Sequence, residues 1–198
     1  MDRISAQLAF LIEADRLKSV LRATKLCDKS RRENTAEHSW HIALYALVMA
    51  EHATRPVNVD RVIKMLLLHD LVEIDAGDTP IHGAVDADHQ AAIEQKAADR
   101  IFGLLPADQN AEFRALWEEF EAAQSDDAVF AKSIDRVQPV ISNLETDGGT
   151  WPEYNVTPDQ LETRVGVKVR RGAPAIWDAL KTRIDLWFTQ NRPGSVKK

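Results

Sequence analysis

The chain has 198 residues, 44% hydrophobic and 28% charged, which is ordinary globular usage and enough to bury one core without disulfides or repeats. A formal charge of −6 excludes broad binding along a nucleic-acid polymer, which needs a concentrated basic surface, but leaves room for a small anionic substrate. One cysteine, Cys27, excludes an intrachain disulfide; with no signal-like N-terminus and no apolar run near the ~18–20 residues of a membrane span, the chain reads as cytoplasmic, with no membrane partner.

Apolar residues recur at three- and four-residue spacing and alternating runs are scarce, so the expected fold is all-α. A first helix is expected over residues 4–21, with Leu8, Leu11, Ile12 and Leu17 as its apolar stripe. Between Arg16 and Arg32 lies a basic loop, with seven Lys or Arg against Asp28, read for the most part as a solvated face. Asn34 or Thr35 caps a second helix, Asn34 and Glu37 having capping-box spacing, which puts His38 in the first turn and carries the helix to Arg55-Pro56. Asn58 opens a third helix over about residues 59–72, ending before the turn-rich Ala76-Gly77-Asp78-Thr79-Pro80.

Helical periodicity resumes over residues 91–105, 113–120 and 129–144, where Pro139 should bend or break the last helix. Gly148, Gly149 and Pro152 mark a long loop, and Thr157-Pro158 has the cap-then-proline form of a helix start. Ala173-Pro174 opens a final helix with Ile176, Leu180, Ile184 and Trp187 on one stripe, a candidate surface for a homodimer, and residues 193–198 should fray.

His69 and Asp70 close the apolar third helix, where a charged pair is costly without a purpose, and Glu73 lies on a neighbouring part of the same face. A lone His-Asp pair would read as a satisfied core pair, but this one has company in Thr35-Ala36-Glu37-His38, His69-Asp70-Leu71-Val72-Glu73, Gly77-Asp78-Thr79-Pro80 and a helical Asp135. With these motifs the chain resembles the HD-domain metal-dependent phosphohydrolases, and within them the 5′-deoxynucleotidase branch. The resemblance runs from about residue 17 to 144, including Trp117-Glu118-Glu119-Phe120, and is loose beyond Gly148.

The resemblance implies one HD domain over residues 1–198, a helical bundle with its metal site among the central helices and C-terminal helices over about 157–190 packed on it. It implies His38, His69, Asp70 and Asp135 as metal ligands, a mixed set that suits Mn2+, Co2+, Fe2+ or Zn2+ and admits Mg2+. Similar enzymes place the equivalents of Glu73 and Asp78 near the attacking water and leaving oxygen, and the equivalent of Arg22 near phosphate or deoxyribose, with Thr79 and Pro80 bordering the substrate. Ala23 departs from the pattern, standing where bacterial deoxynucleotidases carry a tryptophan. The implied reaction is hydrolysis of a (deoxy)nucleoside 5′-monophosphate to nucleoside and phosphate. The alternatives are an HD phosphodiesterase or triphosphohydrolase, and a catalytically silent metal- and nucleotide-binding regulatory protein. His41 reads as packing or a supporting hydrogen bond and His52, His82 and His89 as solvated, with His82 placed to border the pocket; the five tryptophans read as core and interface residues.

Overall fold

The computed structural model describes residues 2–83 and 86–191; the expected fraying of 193–198 lies outside them. Helices dominate, as the periodicity requires, but the first differs from its expected extent and face. Helix α1 spans Arg3–Ala14, capped by the Asp2 side chain accepting from Ser5 N, and gives way to a 3-10 turn over Asp15–Ser19. Leu8 and Ile12 are 54% and 73% exposed, whereas Ala6, Phe10 and Leu17 are buried. Two apolar stripes compete on this helix. Phe10 lies four residues after Ala6 on one face of α1, Leu17 is buried from the 3-10 turn that follows, and the Phe10 ring meets Phe113 edge-on at 6.1 Å.

The basic segment is not a plain loop. It folds into an antiparallel hairpin of β1 (Leu21–Lys25) and β2 (Arg32–Asn34), pairing Leu21 with Asn34 and Lys25 with Arg32 across an irregularity. Lys29 closes the turn at φ 66°, its N–H donating to the Leu26 carbonyl. Helix α2 (Thr35–Met49) then starts on the expected capping box, Asn34 accepting from Glu37 N and Glu37 reaching back to Asn34 N. It ends earlier than Arg55-Pro56, passing into a 3-10 turn over Ala50–His52. Asn58 caps α3 (Val59–Leu68), which buries Val62, Met65 and Leu66. The expected continuation to residue 72 tightens into a 3-10 turn, His69–Val72, before the short α4 (Glu73–Ala76) ends at Gly77 with φ 74°, a conformation glycine adopts freely.

Helices α5 (Ala87–Phe102), α6 (Ala107–Ala122) and α7 (Asp126–Glu145) follow, and α7 runs through Pro139 without a break. The neighbours of α7 explain this: it packs against α2, α3 and α6, and against α10 (Val167–Gly172) and α11 (Pro174–Gln190), so packing on several sides offsets one missing backbone hydrogen bond. The glycine-rich stretch after α7 contains a short α8 (Thr150–Glu153), and Thr157 caps α9 (Pro158–Leu161) with Gln160 completing a capping box. A π-turn over Glu162–Gly166 joins α9 to α10. The stripe expected on α11 turns inward, with Ile176, Leu180 and Ile184 buried in this chain's core.

Helices α7 and α10 meet at Gly172, where an added Cβ would lie 2.4 Å from Ser133 Oγ and 2.6 Å from the Val129 carbonyl. Gly172→Ala is therefore expected to destabilise the fold by ~1–3 kcal/mol through overpacking, read as a lower urea midpoint at unchanged slope. An unchanged midpoint would mean the two helices are not in this contact.

Candidate metal centre

The centre forms where four elements converge on α7: the hairpin, the start of α2, the 3-10 turn after α3, and α4 with its following loop. Among the described residues, His38, His69 and Asp135 form a buried group with one possible ligand atom from each lying within 4.8 Å of the others. His38 Nε2 is 3.1 Å from Asp135 Oδ1 and 3.9 Å from Asp70 Oδ2, while His69 Nε2 is 2.9 Å from Asp70 Oδ1 and 3.8 Å from Asp135 Oδ1. All four residues expected as ligands are thus brought together.

The outer nitrogens settle what the inner ones offer. His69 Nδ1 lies 2.8 Å from the Leu66 carbonyl and His38 Nδ1 3.0 Å from Gln138 Oε1, and both partners accept, so each Nδ1 carries the hydrogen in the neutral ring. Each Nε2 then turns a lone pair toward carboxylate oxygens. His69 Nε2 is buried and, despite its nearness to Asp70, makes no hydrogen bond. Lone pairs and carboxylates facing one another call for a cation between them, and two imidazoles with carboxylates fit a divalent ion that keeps positions open.

The titration directions agree. Burial, with Arg22 nearby, pulls His38 down to about 4, keeping it neutral as a ligand must be. Burial pushes Asp70 up, but His69, Arg22 and His38 beside it bring it down to about 2. Asp135 is held well below the usual carboxylate range, burial being outweighed by Arg136, His38 and His69. His69 goes up instead, because Asp70 and Asp135 outweigh its burial; the carboxylates that favour a proton there are those that would favour a metal ion, which competes with it.

Around this group the structure places the other expected site residues. Glu73 accepts from Thr35 Oγ1 at 2.9 Å, and burial together with the Asp70 charge raises it well above the usual carboxylate range. Asp78 is raised as well, by burial, against the opposing pull of Arg22. Arg22 is held among carboxylates: Nη1 lies 3.3 Å from Asp70 Oδ2 and 3.2 Å from Asp78 Oδ1, and Nε 3.6 Å from Glu33 Oε2. Thr79 and Pro80 line a cavity beside the centre, and so does His82, which is half-buried and not solvated as expected. His41 packs between Trp40 and Tyr45, away from the centre, and His52 and His89 are exposed. Trp40 is exposed as well, while Trp117, Trp151 and Trp177 are core residues.

Sequence reasoning missed two residues. Gln138 is buried, donates to Glu33 Oε1 at 2.9 Å and to Ser142, and so presents its carbonyl oxygen to His38. Glu33 is buried beside it and pushed up to about 7 by that burial. The available signal was spacing, since Gln138 lies one helical turn after Asp135 on the same face. The tetrad before the last ligand gains a function too, because Trp117 Nε1 donates to the His69 carbonyl and the Phe120 ring meets the His69 ring edge-on at 4.7 Å.

A family model described as an HD domain matches residues 14–177. The chain belongs to the HD-domain family. A crystal structure of a predicted metal-dependent phosphohydrolase from Magnetospirillum magnetotacticum superimposes on this HD-domain protein with a TM-score of 0.88 at 47% identity, covering 95% of this chain and 96% of that one. A 5′-deoxynucleotidase of Homo sapiens is 30% identical over 139 residues, 70% of this chain and 67% of the relative. One from Photorhabdus temperata is 27% identical over 167 residues, 80% of this chain and 84% of the relative. Against the enzyme of that name from Mus musculus the match spans little more than half of the relative, 55%.

Gln138→Leu in this HD domain is expected to weaken divalent-metal affinity by ~10–100-fold, measured by calorimetry, because His38 loses the partner that fixes its tautomer. Unchanged affinity would remove Gln138 from the centre. Arg22→Met is expected to destabilise the metal-free protein by ~3–5 kcal/mol, the cost of leaving buried carboxylates without their cation. Added Mn2+ should restore more stability to that variant than to the parent, and equal gains would refute this account of Arg22.

Proposed function

We propose that this HD-domain protein is a metal-dependent 5′-nucleotidase that hydrolyses (deoxy)nucleoside 5′-monophosphates to nucleoside and phosphate. The observation that carries the reading is the buried His69 Nε2, without a hydrogen bond, facing Asp70 and Asp135 in a pocket that also holds Glu73 and Asp78. The 5′-deoxynucleotidase names of the human and Photorhabdus relatives support the substrate class. A single, exposed cysteine is in keeping with a reducing, cytoplasmic setting.

In this reading His38, His69, Asp70 and Asp135 hold a divalent ion, with Mn2+, Co2+, Fe2+ and Zn2+ ahead of Mg2+ because two donors are nitrogen. When bound, the ion polarises a phosphoryl oxygen and lowers the pKa of a coordinated water. The chain's own groups do the rest. Glu73, raised by burial and by Asp70, carries a proton at neutral pH more readily than an ordinary carboxylate, and Thr35 fixes one of its oxygens, which suits it to exchange a proton with the leaving oxygen or the water. Arg22 holds Asp70 and Asp78 in place and offers its positive charge to the phosphate side of the pocket. Asp78, Thr79 and Pro80 form the wall along which the sugar would lie.

Chelation is expected to abolish phosphate release from 5′-monophosphates, with Mn2+ or Co2+ restoring it; full turnover by metal-stripped protein would sink the proposal. Asp70→Ala should lose metal and turnover together, whereas Glu73→Gln should keep its metal and lose kcat by ~10²–10⁴-fold. Release of pyrophosphate or triphosphate in place of phosphate would point to a different hydrolase reaction.

A further inference from the structure

Beside the metal centre lies a partly open chamber. It shares Arg22, Asp78, Thr79, Asp135 and Arg136 with the pocket that contains His69, Asp70 and Glu73, so the two are continuous. Their chemistry differs. The second pocket is lined by charged groups such as Glu94, Glu121 and Lys132, while the chamber is walled by Pro139, Val140, Leu161, Val165, Trp151 and Tyr154.

The polar groups deep in the chamber are already engaged. Asn143 Nδ2 donates to Thr150 Oγ1 at 3.0 Å, and Thr150 N donates to Asn143 Oδ1 at 2.9 Å. Trp151 is fixed from behind, stacked on Phe188 at 5.2 Å with Trp187 edge-on at 5.0 Å, yet its Nε1 is buried without a partner. His82 Nδ1, also on a chamber-lining residue, is unpartnered in the same way. A mainly apolar slot that includes the unpartnered Trp151 Nε1 and His82 Nδ1 suits a flat heteroaromatic ring, with the cations Arg22 and Arg136 toward the metal centre.

We propose that this chamber, built by α7, α8 and the α9–π-turn segment, is the base subsite, holding the nucleobase against Tyr154 and Trp151 while the 5′-phosphate reaches the metal centre. The proposal rests on the nucleotidase reading for its substrate and adds the residues that recognise the base. Both aromatic rings of the wall, Trp151 and Tyr154, come from the part of the chain beyond Gly148, while Pro139, Val140 and His82 complete the slot from before it.

The test compares a 2′-deoxynucleoside 5′-monophosphate with 2-deoxyribose 5-phosphate, which lacks the base, in the Mn2+-loaded protein. Tyr154→Ala is expected to raise KM for the nucleotide about tenfold, the scale of one lost stacking contact, while leaving KM for the sugar phosphate and kcat for both unchanged. Tyr154→Phe, which keeps the ring, should behave as the parent. Equal changes for the two substrates, or none, would overturn the proposal. Calorimetric titration with thymidine and deoxyadenosine keeps the subsite separate from the reaction. Binding that Tyr154→Ala weakens supports the chamber even if no phosphomonoester is hydrolysed, in which case only the nucleotidase reading falls; no nucleoside binding by the parent protein overturns the subsite.

Discussion

One guanidinium among many carboxylates governs this structure. Glu33, Asp70, Glu73, Asp78 and Asp135 converge around Arg22, and each is buried or nearly so. Carboxylates withdrawn from water must be paired, protonated or bound to a cation, and this chain draws on each option. Arg22 lies against three of them, Glu33 and Glu73 are pushed toward the protonated form, and Asp70 and Asp135 face histidine nitrogens whose lone pairs await a positive partner. The hairpin makes sense in these terms. It contributes little to the core, but its inward residues Arg22, Thr24 and Glu33 supply the charge and hydrogen bonds that the cluster needs.

That function also explains why the hairpin was hidden in the sequence. A half-buried strand is recognised by apolar residues facing in and polar ones facing out, and here the order is reversed: Leu21 is 65% exposed while Thr24 and Glu33 are buried. The helix starts at Asn34, Asn58 and Thr157 were legible because a cap is local chemistry, complete within four residues. The stripe on α1 was legible only at Leu17, because Leu8, Leu11 and Ile12 are as periodic as Ala6 and Phe10, and only a partner such as Phe113, about a hundred residues away, decides between them. The His69-Asp70 pair marked itself for a different reason, because charged and imidazole groups in an apolar run are costly, whereas His38 and Asp135 were expected only through the family resemblance. Gln138 carries no such cost on its face, and its meaning depends on His38 at the other end of a long sequence separation.

Helix α7 ties the two halves of the site together. Asp135 and Gln138 address the metal centre, and Pro139, Val140 and Asn143 address the chamber, so one rigid element sets the distance between them. Pro139 sits at this junction, four residues after Asp135. Having no N–H, it leaves the Asp135 carbonyl without its usual helical partner, a loss tolerated because α7 is packed on several sides. A proline that would end an exposed helix is here a wall of the chamber, directly above the residue whose carboxylate meets both histidines.

The apolar chamber bears on the charged centre as well as on any ligand. A wall of Pro139, Val140, Leu161 and Val165 gives one side of the cluster an apolar lining, beside which charges interact more strongly than in water. On the other side the pocket is lined by charged groups, Lys132 and Glu121 among them. The fold thus differs in polarity across the centre, with Arg136 lining both sides at the boundary.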